Sequence, residues 1–264
     1  MTFEIVTVVK NDLVGFLKTQ ESIKNQNFKF FSWHVIDGSN GPQIREKMDL
    51  KIVEHVRYSH LPPMGIYNAM NFGISASRSE WIWFLNAGDL LADNNSTMIV
   101  EGVTQTNSDY DAVGFTVHHI DSDAYIWGIT TPAIDEIDGT SFKICSVNHQ
   151  GFIARSETIK EIGGFDESLH SVADSKMMDE FANSKKIFLF NQHLVDFTLG
   201  GHSSKNFRKV LDELETIRPY SRTWTRKTGR ILIILKHQVR NYVVSHDNSF
   251  TRNLKRIRKS ESNF

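Results

Sequence analysis

Phe31-Ser32-Trp33-His34-Val35-Ile36-Asp37-Gly38-Ser39-Asn40-Gly41 is a β-prone apolar run that stops on a dense cluster of turn residues. Working outward, the same pattern recurs on both sides. Phe3-Glu4-Ile5-Val6-Thr7-Val8-Val9 reads as a buried strand, and Leu13, Phe16, Leu17 and Ile23 follow at helical spacing, with Asp12 set to cap the helix start. Ile52-Val53 is expected in a third strand. A helix over about 65–78 precedes a fourth, Trp81-Ile82-Trp83-Phe84-Leu85, stopped by Asn86-Ala87-Gly88-Asp89. Strand–helix–strand units of roughly 30 residues argue for βαβ construction and a largely parallel sheet. In such sheets ligands collect at the carboxyl ends of the strands, where both turn clusters fall.

Further along, residues 110–130 read as two short strands and 147–154 as another. Ser156-Glu157 opens a helix, Gly163-Gly164-Phe165-Asp166 makes a turn, and a helix covers 172–182. Ile187–Phe190 and Leu194–Phe197 read as two separate strands, and from about Ser203 the pattern is helical and increasingly basic. The chain has 264 residues, 40% hydrophobic and 23% charged, which excludes disordered, collagen-like and coiled-coil classes. Its single cysteine, Cys145, excludes an intramolecular disulfide and fits a reducing compartment. No apolar run approaches the roughly 20 residues of a membrane span. Glu4 sits where a signal peptide would want positive charge, so a cytoplasmic location is expected. The net charge of -1 conceals an asymmetry: residues 218–259 carry twelve Lys/Arg and one acid, Asp247. An acidic body therefore carries a basic tail.

Several chemistries can be set aside. Neither dinucleotide-binding nor P-loop glycine patterns occur, and the turn Lys10-Asn11-Asp12 has no glycine. No Gly-x-Ser-x-Gly or His-Glu-x-x-His is present. What remains is acid-and-amide chemistry at strand ends. Asp37 and Asp89 stand where a carboxylate can accept hydrogen bonds from a nucleoside or ligate Mg²⁺ or Mn²⁺. Both residue types are also ordinary turn formers.

The ordered segments nevertheless resemble a known family. Ile5–Val9, Ser22-Ile23-Lys24-Asn25-Gln26, Val35-Ile36-Asp37-Gly38-Ser39, Gly65-Ile66-Tyr67-Asn68-Ala69-Met70-Asn71 and Leu85-Asn86-Ala87-Gly88-Asp89 are followed by His149-Gln150-Gly151-Phe152, Gly163–Ser168 and Ala173-Asp174. Over residues 3–200 this is similar to the family 2 glycosyltransferases of GT-A type, in particular those of colanic-acid and O-antigen synthesis. The resemblance implies an α/β GT-A fold, Rossmann-like, with a mostly parallel sheet over 1–205 and a basic, mostly helical extension over 206–264. It implies an inverting transferase of bacterial surface polysaccharides (O-antigen or capsule), which uses a UDP- or GDP-sugar, a glycan or lipid-linked acceptor, and Mn²⁺ or Mg²⁺.

Carried over by position, Asp174 is the implied general base and Asp89 the metal ligand. Thr7, Val9, Asp37, Asn68, Asn71, Asn86, Gly88 and His149 are implied around the nucleotide-sugar. The resemblance departs at Asn86 and Gly88, where acids are usual, at Pro63 and Asn68, and at Lys176 two residues past the base. Fewer carboxylates weaken a Mg²⁺ or Mn²⁺ site, although a diphosphate supplies ligands of its own. An alternative is a catalytically weakened homologue that binds nucleotide-sugars or glycans and scaffolds a membrane assembly. A nucleotidyltransferase would want a glycine-rich basic loop after the first strand. In the tail, Ile231, Leu232, Ile234, Leu235, Val239 and Tyr242 lie between basic residues, as in an interfacial helix on anionic lipid at the inner face of the cell membrane. A nucleic-acid partner is not expected, given the acidic body.

Overall fold

The computed structural model of the protein describes residues 1–106, 109–137, 141–199 and 207–218. Its elements begin β1 (Phe3–Val9), α1 (Leu13–Lys24), β2 (Ser32–Asp37), α2 (Gln43–Lys47), β3 (His55–His60), α3 (Ile66–Ala76) and β4 (Trp81–Phe84). Then come β5 (Leu90–Leu91), α4 (Ser96–Thr106), β6 (Ala112–Ile120), β7 (Ile126–Thr130), β8 (Ile134–Glu136) and β9 (Lys143–Cys145). A 3-10 turn (His149–Gly151) leads into β10 (Phe152–Arg155), α5 (Ser156–Glu161), α6 (Ala173–Ser184), β11 (Ile187–Thr198) and α7 (Phe207–Ile217). Among the described residues, no helix is long and apolar enough to cross a membrane.

The main sheet runs β3-β2-β1-β4-β10-β6-β11-β5. β1 pairs in parallel with β2, Val9 opposite Asp37, and with β4, Val6 opposite Phe84; β2 pairs in parallel with β3. The carboxyl ends of β1, β2 and β4 therefore share one edge. β10 is antiparallel to β4, Ile153 opposite Trp83. Its amino end, with the His149–Gly151 turn, comes to that same edge, because antiparallel neighbours run in opposite directions.

Alternation along the strands builds two apolar layers. Phe3, Ile5, Trp33, Val35, Trp81 and Trp83 pack on one face with Phe16 and Ile23 of α1. Val6, Ile36, Ile82 and Phe84 pack on the other with Met70 and Ile74 of α3 and Phe181 of α6. Gly73 lets α3 approach closely: a Cβ there would lie 2.8 Å from Val6 Cγ1 and 3.0 Å from Ile36 Cδ1. Asp12 caps α1 as expected, its Oδ1 accepting from the Gly15 N–H at 2.8 Å.

Three sequence expectations are corrected. The third strand is His55–His60, not Ile52-Val53. That strand closes the sheet edge half-exposed and needs no apolar run, while Ile52 and Val53 turn into the core from the preceding loop. Of the 147–154 run, Phe152–Arg155 is strand and His149–Gly151 is a helical turn. The two late strands are one, β11, whose polar middle, Asn191-Gln192, stays exposed.

By compactness the chain divides into residues 1–118 with 129–197, and 119–128 with the segment from 198 onward. Within the second unit, Asp121 organises a turn: its Oδ1 accepts from the N–H groups of Asp123 and Tyr125, and its Oδ2 from Trp127 Nε1 at 2.8 Å. The basic tail beyond Arg218 lies outside the described residues.

His34, on β2, gives the fold a pH dependence. It is 2% exposed, its Nε2 meets Ser59 Oγ at 2.9 Å, and its Nδ1 has no partner. Burial, then the charge of Arg57, push its pKa down to about 4. The unfolded chain therefore binds a proton at His34 that the folded chain refuses between about pH 6.5 and 4. Stability should fall as pH drops through that window, by up to roughly 3 kcal/mol. Melting curves from pH 7 to 4.5 should show a shallower decline for His34→Gln than for the unmutated protein; equal declines would contradict this.

Candidate active site

Four segments converge on the sheet edge: the ends of β1 and β2, the Asn86–Asp89 loop after β4, the amino end of α3, and the His149 turn with the start of α6. Asp37 is fully buried; its Oδ1 accepts from Ser39 N–H and its Oδ2 from Tyr58 Oη, both at 2.8 Å. Burial, and then the bond to Asp37, push the Tyr58 pKa up to about 12. Thr7 and Val9 are buried: Thr7 Oγ1 accepts from Trp33 Nε1 at 2.9 Å, and the Val9 carbonyl accepts from Gly38 N–H. They meet this edge through backbone more than side chain.

The Asn86–Asp89 loop is held from below by Thr19 of α1. Thr19 Oγ1 accepts from the Gly88 N–H at 2.9 Å and donates to the Asp89 carbonyl at 2.8 Å. Gly88 has φ +98°, a left-handed conformation that suits glycine. The loop folds Asp89 inward, 4% exposed, with its Oδ2 accepting from the Asn86 N–H at 3.1 Å. Burial raises the Asp89 pKa to about 7, against the opposing effects of the His149 charge and hydrogen bonds from Gln150 and Asn86. Asn86 Oδ1 is buried without a hydrogen-bond partner. A carboxylate and an unpartnered amide oxygen three residues apart fit a hard divalent cation, which prefers oxygen donors.

His149 joins this loop to α6. Its Nδ1 lies 2.9 Å from Asp174 Oδ2 and its Nε2 3.1 Å from Asn86 Nδ2. A carboxylate only accepts, so Nδ1 carries the proton that Asp174 receives. Tyr67 Oη donates to Asp174 Oδ1 at 3.3 Å, and the Ser175 N–H donates to the same oxygen at 2.8 Å. The His149 and Asp174 side chains are 17% and 20% exposed. Burial works against the Asp174 charge, but these donors and the His149 charge outweigh it and hold its pKa below the usual value. Burial likewise opposes charging His149, yet the bond to Asp174 and the two carboxylates raise its pKa. Lys176 turns away and pairs with Asp166 at 2.8 Å.

Asn68 and Asn71 share a face of α3 and meet one partner. Asn68 Nδ2 donates to Glu167 Oε2 at 3.0 Å, and Asn71 Nδ2 to Glu167 Oε1 at 2.8 Å. Asn71 also exchanges two 2.8 Å bonds with the Phe165 backbone. Both border a cleft shared with Leu61, Met64 and Phe72. Sequence reasoning missed Thr19, Tyr67 and Gln150. Tyr67 and Gln150 lie inside the segments already singled out, beside Asn68 and His149; Thr19 looks like any helix threonine until the fold brings it under the loop.

The sequence pattern described as glycosyl transferase family 2 matches residues 4–163, more than half of the chain, and the protein belongs to that family. It is 24% identical over 187 residues to two proteins of Mycobacterium tuberculosis, the uncharacterized glycosyltransferases MT1564 (strain CDC 1551 / Oshkosh) and Rv1514c (strain ATCC 25618 / H37Rv), over 67% of each chain. Among solved structures it is similar to S. aureus TarS 1-349, with a TM-score of 0.59 and 16% identity, over 79% of this chain and 63% of that one. The complex of TarS 1-349 with UDP-GlcNAc gives a TM-score of 0.60 at 16% identity, over 80% and 64% of the two chains. The chain thus spans less than two thirds of TarS 1-349, and the likeness speaks for the GT-A glycosyltransferase fold.

Thr19→Val keeps the shape but removes the hydroxyl that bonds both the Gly88 N–H and the Asp89 carbonyl. Denaturant unfolding should show a loss of about 1–3 kcal/mol. No loss would mean that the loop does not hang on this hydroxyl.

Proposed function

We propose that the protein moves a sugar from a nucleoside diphosphate to a hydroxyl of a glycan acceptor, with inversion at the anomeric carbon. The observation that carries this reading is the hydrogen-bonded line from Asp174 through His149 and Asn86 to Asp89. It links a carboxylate kept ionised to a loop with oxygen donors suited to a diphosphate-bound cation. UDP is the favoured nucleotide, because TarS has been crystallised with UDP and with UDP-GlcNAc.

In this reading β1 around Thr7 and Val9 backs the base, and Asp37 accepts a hydrogen bond from it. Asn68 and Asn71, with Glu167, wall the sugar side. Asp89, with Asn86 and the turn at Gly88, would hold Mn²⁺ or Mg²⁺, which when bound neutralises charge on the diphosphate. Asp174 takes the proton from the acceptor hydroxyl as that oxygen bonds to the anomeric carbon, and the bond to the diphosphate oxygen breaks on the opposite face. His149 and Tyr67 keep Asp174 oriented and ionised. Thermal melting with a panel of nucleotide-sugars, with and without Mn²⁺, tests the donor site. A true donor at 100 times its dissociation constant stabilises by roughly 2.7 kcal/mol; stabilisation by none would contradict the reading. Asp174→Asn should keep that stabilisation while turnover falls about 10²–10⁴-fold. Near-normal turnover would remove Asp174 from the role of base.

We further propose a lipid-linked acceptor, in O-antigen or capsule synthesis, reached from the cytoplasmic face of the membrane by the basic extension over 206–264. Each Lys or Arg near an anionic surface contributes about 1 kcal/mol, screened as salt rises. Full-length protein should co-sediment with phosphatidylserine vesicles at low salt and release at high salt. Changing Arg252, Lys255, Arg256, Arg258 and Lys259 to Gln should abolish pelleting; undiminished pelleting would point to another anchor or a soluble acceptor.

A further inference from the structure

We propose that His118, His193 and Asp196 form a second cation site, one for a transition-metal ion such as Zn²⁺, distinct from the oxygen donors of Asn86 and Asp89. His118 lies on β6; His193 and Asp196 lie on β11. One ligand atom from each stands within 4.8 Å of the other two. His193 Nε2 is 2.9 Å from Asp196 Oδ1, and His118 Nδ1 is 3.9 Å from the same oxygen. Both nitrogens thus approach one carboxylate oxygen, and the two imidazoles stack with centroids 3.5 Å apart and planes 13° apart. Residues three apart on an extended strand ordinarily face opposite sides of the sheet, yet the side chains of His193 and Asp196 meet.

The donor set decides the ion. Imidazole suits Zn²⁺, Co²⁺ and Cu²⁺, whereas Mg²⁺ and Mn²⁺ favour oxygen. Zn²⁺ bonds of about 2.0–2.1 Å put tetrahedral ligand atoms roughly 3.4 Å apart, and an imidazole nitrogen binds in the plane of its ring, so closing the cluster draws the ligand atoms together and tilts the two rings out of their stack. The three side chains are 19–31% exposed, covered enough to be held and open enough for an ion to enter. Three protein ligands leave a fourth position for water or a substrate oxygen. Asp196 pairs across the sheet with Leu90, the residue after Asp89. An ion here would tie β6 to β11 beside the loop that carries Asp89.

The test is calorimetric titration of Zn²⁺ alone into full-length Asp89→Asn protein, which keeps the oxygen site out of the signal. Binding with a micromolar or tighter Kd is expected, weakened at least about tenfold by His118→Gln or His193→Gln. No binding, or binding that neither substitution weakens, overturns the proposal. Melting curves without metal establish that the variants are folded. If they are not, pulsed EPR of the unmutated protein loaded with one equivalent of Cu²⁺ decides: two coordinated imidazoles support the site, and one or none overturns it.

Discussion

His149 stands between two carboxylates that would otherwise have no reason to be coupled, and the geometry of the site follows from that position. Its Nδ1 is 2.9 Å from Asp174 and its Nε2 reaches Asn86, whose backbone N–H holds Asp89. A mostly covered carboxylate stays ionised only if donors compensate for lost water. Asp174 has three, from His149, Tyr67 and Ser175. Asp89 is more deeply buried and less well compensated, and its pKa rises to about 7. The pKa values of the two acids are thus shifted in opposite directions a few bonds apart.

The sheet makes this arrangement possible. Parallel pairing of β1 with β2 and β4 gathers three strand ends, and the antiparallel entry of β10 delivers the His149 turn to the same edge. Gly73 lets α3 sit tightly on β1 and β2, which sets Tyr67 against Asp174. Thr19 then fixes the Asn86–Asp89 loop from the opposite layer. The family's sequence pattern over residues 4–163 covers most of these contacts, though not α6, which supplies Asp174.

The parallel half of the fold was legible because its strands are short, apolar and closed by turn residues. The edge strand β3 was not, since His55–His60 lacks an apolar run and gains its order from β2. β11 reads as two strands because Asn191-Gln192 interrupts its apolar runs, although both are exposed strand residues. Of the site, Asp37, Asp89, His149 and Asp174 could be singled out from ordered segments. Their mutual contacts could not, because Asp174 and His149 are joined by tertiary packing and not by spacing. Nor could the pairing of Asn68 and Asn71 with Glu167, which gives both amides a protein partner.

With Asp174 as the proposed base, His149 acts through Asp174 and not on the substrate. A double-mutant cycle measures this directly, with release of nucleoside diphosphate from the best donor followed in the unmutated protein, His149→Gln, Asp174→Asn and the double variant. If His149 serves only to orient and charge Asp174, the double variant is no slower than Asp174→Asn alone. Losses that multiply, each substitution costing its full factor in the presence of the other, would contradict the account.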